Sequence, residues 1–208
     1  MAGEIDTQEV ITDLLPSLHS DSRAHLNFWS EADLIQWIDE ALKRLARTAM
    51  LFVERDTSTA TAAGTATYPL PARHLASLHI SYGSSPLRPA AMVELEARDE
   101  GFQNTIGAPD HWYEDKLGMA TVGVAPVPPD SAVTLAIIMS CVPPEVDAAK
   151  VNTLVQAPAP LKGYLAFSVL GEAYGRESET EQPDLAKHCR ARVQLYEQIL
   201  QRYYGPGL

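Results

Sequence analysis

Residues 29–56 read WSEADLIQWIDEALKRLARTAMLFVERD, and this stretch carries the strongest periodic signal in the chain. Its apolar residues recur every three or four positions, which is the spacing of one face of an amphipathic helix. Ser30 and Asp33 have the spacing of a capping box at a helix N-terminus. Because no glycine or proline interrupts the pattern, the sequence predicts one long helix over residues 30–56.

Charged residues within the same stretch also favour a helix. Asp39 lies four positions before Lys43, and Glu40 lies four positions before Arg44. Opposite charges at this spacing face each other on a helix and stabilise it by about 0.2–0.5 kcal/mol per pair. The sequence therefore predicts two ion pairs along this helix.

The segments on either side of this helix differ in composition. Upstream, residues 10–15 show a short apolar pattern that Pro16 ends, which predicts a brief helix. Downstream, residues 57–67 read TSTATAAGTAT and consist of small residues and threonine. This low-complexity composition predicts an exposed, mobile connector.

The apolar period changes to two in the middle of the chain, which is the pattern of half-buried strands. Turns rich in glycine, proline, serine and aspartate separate these runs. A short helix is predicted over residues 90–100. The alternating runs lie at residues 78–82, 111–114, 120–124 and 133–141.

Helical periodicity returns after Pro160. Residues 161–174 are apolar nearly all round, which predicts a buried helix. Pro183 suits the first turn of a last helix, and the run Gly205-Pro206-Gly207 ends it. The predicted buried stripe of this helix consists of Leu185, Cys189, Val193, Tyr196, Leu200 and Tyr203.

The order of segments is therefore helices, then strands, then helices. This order predicts an α+β fold that is mainly α, namely a helical bundle with an inserted small antiparallel β unit. The bundle comprises residues 1–56 and 161–208, and the β-rich insertion comprises residues 57–160.

Composition limits the classes of protein that are possible. The chain has 16 basic and 27 acidic residues, a net charge of −11, which argues against a protein that wraps nucleic acid. A hydrophobic share of 46% excludes wholesale disorder. No apolar run approaches the ~18 residues of a membrane span. The acidic start resembles no secretory signal, and the two cysteines form no CxxC, so we expect a soluble protein of a reducing compartment.

The sequence contains no recognisable catalytic, cofactor or metal motif. GxGxxG, Walker A, GxSxG and HExxH patterns are absent from the sequence. Carboxylates cluster within residues 94–100 and 110–115, but such clusters arise by chance in so acidic a chain. His188 and Cys189 are adjacent and would point about 100° apart on a helix, which is poor geometry for zinc. We therefore predict no catalytic residue, cofactor or metal.

A series of segments carries a further resemblance. They are WSEADLIQWIDEAL (29–42), YPLP (68–71), HWYEDKLGMATVGVAPVPP (111–129), LAIIMSCVPPEV (135–146), LKGYLAFSVLGEAYGRESE (161–179) and the closing helix. In this order they resemble the adaptor, or head-to-tail connector, proteins of tailed bacteriophages, over residues 26–203. The sequence departs from the family pattern at Asp33, Asp39 and Ser140-Cys141.

The resemblance implies a structural protein of the virion. Adaptors of this family form a ring of twelve copies beneath the portal protein, at the head–tail junction in the neck. The β unit then faces a tail or nozzle protein, and DNA crosses the channel without specific binding. The implied protein is made in the cytoplasm of the bacterial host and has no membrane partner.

The resemblance also implies two contact sites. Portal docking is assigned to the aromatic C-terminal tail, although a frayed terminus is the alternative. A ring or tail contact is assigned to the end of the 111–114 strand and its turn. Because no arginine or lysine adjoins them in the sequence, the two aromatic rings are interpreted as sheet packing rather than as a stacking platform for nucleic acid. The docking residues are Tyr203, Tyr204, Gly205, Pro206, Gly207 and Leu208. The ring or tail contact residues are Trp112, Tyr113, Asp115, Lys116, Leu117 and Gly118.

Three other functions stay open on the sequence alone. A different neck or tail-completion ring protein, such as a tail terminator, is one, although the helix–strand–helix order argues against an all-β ring. A small hydrolase that uses the acidic clusters is the second, and a monomeric binding module is the third. Assembly state separates the ring proteins from the other two.

Overall fold

The chain divides into two units in the computed structural model. The first combines Met1–Leu51 with Pro143–Leu208, and the second is Phe52–Val142. The structure describes residues 4–6, 9–13, 29–115, 120–146, 154–156, 161–176 and 183–204. The helices are α1 (9–13), α2 (Glu31–Ala49), α3 (Met92–Arg98), α4 (Leu161–Gly175) and α5 (Pro183–Tyr204). The strands are β1 (Glu4–Asp6), β2 (Val53–Ala60), β3 (Thr67–Pro69), β4 (His74–Tyr82), β5 (Ser85–Pro86), β6 (Arg88–Pro89), β7 (His111–Asp115), β8 (Thr121–Ala125), β9 (Thr134–Cys141) and β10 (Leu154–Gln156).

Helix α2 begins where the sequence predicts. The Ser30 N–H donates to Asp33 Oδ2 at 3.0 Å and the Asp33 N–H donates to Ser30 Oγ at 3.2 Å, so the predicted capping box is present. The Trp29 ring lies edge-on to Trp37, with ring centroids 5.0 Å apart. Because its apolar positions are buried, α2 supplies much of the core of the first unit.

The prediction of a helix over residues 30–56 is wrong beyond Ala49. Met50 adopts the left-handed conformation, with φ at 49°, and its N–H donates to the Ala46 carbonyl at 3.2 Å. This conformation ends a helix. The chain then enters β2, which pairs antiparallel with β9. A distant partner strand supplies these hydrogen bonds, so the periodicity within residues 50–56 does not reveal them.

The prediction of a connector over residues 57–67 is also wrong, although most of these residues are exposed as predicted. Residues 57–60 belong to β2, and Thr67 begins β3. Between them, the Thr61 N–H donates to the Val133 carbonyl at 2.8 Å, and Thr61 is buried. Because threonine is β-branched, its frequency here favours a strand over a coil.

The second unit contains two four-stranded sheets, with strand orders β2-β9-β4-β5 and β3-β8-β7-β6. Neighbouring strands are antiparallel except β6 and β7, which are parallel. Strands β4, β7, β8 and β9 confirm the four predicted alternating runs, and α3 confirms the short helix. Ile80, Leu135 and Ile137 are fully buried in the first of these sheets.

The prediction of a mainly helical protein with a small β unit is therefore wrong. Two four-stranded sheets occupy the second unit, so the fold is α+β with a large share of both. Four strands lack a recognisable hydrophobic pattern, because β3, β5 and β6 are only two or three residues long and β2 is polar. Such strands are held by their neighbours rather than by their own hydrophobic pattern.

Helices α4 and α5 confirm the predicted C-terminal helices, which start at Leu161 and Pro183. In the same unit, buried Asp39 lies 2.6 Å from Lys43 Nζ, which confirms that predicted pair. Asp39 also accepts the Val146 N–H at 3.0 Å. Strands β1 and β10 form a separate two-stranded antiparallel sheet.

Candidate interaction surfaces

The first acidic cluster surrounds α3. Thr105 Oγ1 and the Gly101 N–H donate to the Asp99 carboxylate at 2.6 and 2.9 Å, and these bonds lower the pKa of Asp99. A general acid at neutral pH needs the opposite shift. This carboxylate is therefore a turn-forming group on a solvated surface. The exposed acidic residues here are Glu94, Glu96, Asp99 and Glu100.

Both cysteines are free and buried. Burial raises the pKa of the Cys141 and Cys189 thiols, which makes them weak nucleophiles at neutral pH. Cys189 packs with Tyr174 and Ala186, which confirms its prediction as a core thiol. Within the described residues, no three His, Cys, Asp or Glu side chains form a group that could hold a metal ion.

A polar cluster joins the two sheets of the second unit. His74 Nε2, on β4, lies 2.9 Å from Ser77 Oγ and 3.7 Å from Glu114 Oε1 on β7. In a catalytic triad the acid orients the other ring nitrogen, so this geometry is not a triad. Burial lowers the pKa of His74, against the opposing charge of Glu114.

The lowered pKa of His74 predicts a loss of stability in mild acid. The unfolded chain takes up this proton near pH ~6.5, above the folded pKa. The contribution of His74 to the free energy of unfolding is therefore complete above that pH and is lost as the pH falls through the folded pKa. The expected slope is at most about 1.4 kcal/mol per pH unit. Urea unfolding at a series of pH values from about 7.5 to 5 measures how the free energy of unfolding depends on pH. The His74→Gln variant should have the shallower pH dependence, and an equal slope in both proteins would contradict this account.

The two aromatic residues of the predicted ring or tail contact lie within the second unit. Trp112 is 8% exposed and Tyr113 is 1% exposed, as expected of sheet packing. Tyr113 lies edge-on to Phe102, with centroids 5.5 Å apart. Strand β7 ends at Asp115. Because Lys116, Leu117 and Gly118 lie outside the described residues, the contact itself stays a prediction.

The predicted portal-docking residues begin in the last turn of α5. Tyr203 and Tyr204 are 80% and 53% exposed. Large aromatic rings on a surface are typical anchors of protein interfaces. The other docking residues, Gly205, Pro206, Gly207 and Leu208, lie outside the described residues. Portal docking therefore also stays a prediction.

A partly buried polar network fixes α5 to α2 and α4. Arg44 Nε lies 3.1 Å from Glu197 Oε1 and 3.3 Å from the hydroxyl of Tyr164. That hydroxyl donates to Glu197 at 3.1 Å, and Arg44 also donates to Ser168 Oγ at 3.2 Å. The predicted partner of Arg44 was Glu40, so that prediction is wrong. Glu40 instead accepts a hydrogen bond from the side chain of Gln36 at 2.9 Å.

The predicted buried stripe of α5 is only partly correct. Cys189 and Val193 are buried, but Leu185 is 40% exposed and Tyr203 points largely to solvent. Leu195 and Ile199, which the predicted stripe does not include, are 48% and 45% exposed. Their spacing of four residues was the available signal, because it places them together on a second side of the helix.

Comparison with protein families identifies the chain over nearly its whole length. The model of the SU10 adaptor protein family matches residues 5–205. The chain therefore belongs to the SU10 adaptor protein family, which confirms the resemblance to bacteriophage adaptors. It is a structural adaptor protein of a phage and a component of the virion. Comparison with curated proteins gives no match. None of the described helices is both long and apolar enough to span a membrane.

Proposed function

We propose that this adaptor forms a ring in the neck of the virion, between the portal protein and a tail or nozzle protein. The ring contains twelve copies, as the resemblance implies, and has no catalytic role. The observation that carries the proposal is the exposure of Tyr203 and Tyr204 at the end of α5, in a chain of the adaptor family. These two rings begin a docking segment that extends over residues 203–208.

The anchoring of α5 supports this docking role. Arg44 and Tyr164 hold Glu197, less than two turns of helix before the exposed tyrosines. A helix that is fixed to its own unit presents terminal side chains with little loss of conformational entropy on binding. The tail can therefore bind a portal groove without first ordering the helix.

The proposed passage of DNA is supported by charge. With a net charge of −11, the surface of each copy repels phosphate groups on average. A ring of such copies would let DNA slide through its channel without the counterion release that drives nonspecific binding.

The end of β7 is proposed as the second contact, with a neighbouring copy or the tail. Trp112 and Tyr113 are buried, so they have little surface left for a partner. We place the contact on the segment that follows the rings, Asp115 to Gly118. The two rings hold the strand that leads to it.

Binding to heads that carry a portal tests the docking proposal. Purified full-length protein should co-sediment with such heads in a fixed stoichiometry. Deletion of residues 203–208 should lower the affinity by about 100-fold or more, because it removes two anchoring aromatic residues and truncation of each costs about 2 kcal/mol. The double variant Tyr203→Ala/Tyr204→Ala should show most of this loss.

The matched control is Gln201→Ala, an exposed position in the same turn of α5. It should bind heads like the unaltered protein. A tail deletion that binds with unchanged affinity would refute portal docking by these residues. An unaltered protein that never binds heads would refute the adaptor role between portal and tail.

A further inference from the structure

One side of α5 is exposed and has no cover from the described part of the chain. We name this surface the outer face. Successive members are three or four residues apart, so they lie along one side of the helix. It contains three apolar residues, of which Leu195 and Ile199 are nearly half exposed. The outer face consists of Leu185, His188, Arg192, Leu195, Ile199 and Arg202.

The outer face is cationic in a strongly acidic protein. Helix α5 carries four basic and two acidic residues, while the rest of the chain carries twelve and twenty-five. The stretch of the outer face from His188 to Arg202 carries no acidic residue. Asp184 lies on the same side of the helix, but in its first turn, about 16 Å along the axis from Leu195. Arg192 and Arg202 make no ion pair with any carboxylate of the described residues. The remainder of the same protein is acidic and therefore complements this face in charge.

We infer that the outer face of α5 receives a second copy of this chain. The inference rests on the proposed ring and assigns one side of its copy–copy contact. Leu195 and Ile199 supply the apolar centre, and Arg192 and Arg202 supply a cationic rim that selects an acidic surface.

The same charges determine the symmetry of the contact. An isologous pair would place outer face against outer face and bring guanidinium groups of the same sign together. The contact is therefore heterologous, with the outer face of one copy on a different, acidic surface of the next. Heterologous contacts of this kind close into rings when the rotation between copies permits.

Site-specific photocrosslinking tests the occupant directly. p-Benzoylphenylalanine in place of Leu195 should crosslink to another copy of this chain, both in concentrated free protein and on portal-bearing heads. The same probe in place of Gln201, which is exposed on the other side of α5, should give at least 5-fold less of this product. Mass spectrometry should place the crosslink outside α5. Crosslinking only to the portal, crosslinking to α5 of the second copy, or equal yields at both positions would each overturn the inference.

Charge and polarity variants test the energetics. Leu195→Glu and Arg192→Glu should each abolish the cooperativity of head binding and raise the protein concentration at half-saturation at least 10-fold. Gln201→Glu introduces the same negative charge and should change neither quantity. These positions are exposed, and unchanged thermal unfolding would verify that each variant is folded. Cooperative binding by Leu195→Glu at unaltered affinity would overturn the inference and leave portal docking intact. If the unaltered protein does not bind heads, the proposed function is wrong. Crosslinking between copies of the free protein then still tests whether the outer face receives a second copy.

Discussion

Gly123→Ala should lower the free energy of unfolding of the second unit by about 3 kcal/mol, at the upper end of the range for overpacked cores. The total stability of a domain is only about 5–15 kcal/mol, so this change removes a large share of it. The backbone conformation of Gly123 is not the reason. The reason is the ring of Tyr113, which occupies the space where a side chain would be.

Gly123 lies in the middle of β8, directly opposite Tyr113 on β7. A Cβ atom at Gly123 would lie 2.0–2.4 Å from three atoms of the Tyr113 ring. Nonbonded carbon atoms need about 3.5 Å, so the ring would have to move by more than an ångström. Tyr113 is 1% exposed and packs with Leu95, Phe102 and Ala125, which leaves no free volume for that movement.

Urea unfolding of Gly123→Ala against the unaltered protein measures this effect. Gly101→Ala is the control, because its new methyl group would meet only Asp99 Oδ1, at 3.4 Å. The double variant Gly123→Ala/Tyr113→Leu should be more stable than the sum of the two single effects predicts, because the smaller side chain makes room. Full additivity would show that the ring is not the obstacle.

The contact between Tyr113 and Gly123 also shows what sequence patterns can and cannot predict. Alternation placed residues 111–114 and 120–124 in strands, and both strands exist. Nothing in the pattern fixes which residue of one strand lies opposite which residue of the other. Register depends on the turn and on the packed core, so the contact between Tyr113 and Gly123 could not be predicted.

The two ends of α2 differ in the same way. Its start is determined by Ser30 and Asp33, three residues apart, and was predicted correctly. Its end at Ala49 depends on pairing between β2 and β9, which are far apart in the sequence. The sequence pattern therefore predicts the helix end that neighbouring residues determine, and it misses the end that depends on a distant strand.

For the candidate surfaces, the sequence prediction was incomplete because α5 carries apolar residues on two sides. The sequence predicts a single buried stripe, which includes the exposed Leu185 and Tyr203 together with the buried Val193. One apolar side of α5 packs within its own unit, and the other is exposed. Sequence periodicity detects both but cannot assign them, because burial is a property of the packed structure.

Tyr164→Ala should be the most destabilising change in the first unit, with a loss of about 3–5 kcal/mol. The side chain is fully buried on α4 between α2 and α5, so its removal leaves a cavity. Tyr164→Phe keeps the ring and removes only the hydroxyl, and it should cost about 1–2 kcal/mol. Thermal or urea unfolding of both variants separates the contribution of the ring from that of its hydrogen bonds.

The ion pair beside Tyr164 should matter less than the ring. The side chain of Arg44 is 47% exposed, so solvent screens its attraction to Glu197. Arg44→Met should therefore cost less than Tyr164→Ala, and the reverse order would show that the charge pair, rather than the ring, holds α5. Because α5 carries both proposed surfaces, Tyr164→Ala should also weaken head binding. Tyr164→Phe should leave head binding near normal, since the ring still fixes the helix that presents Tyr203 and Tyr204.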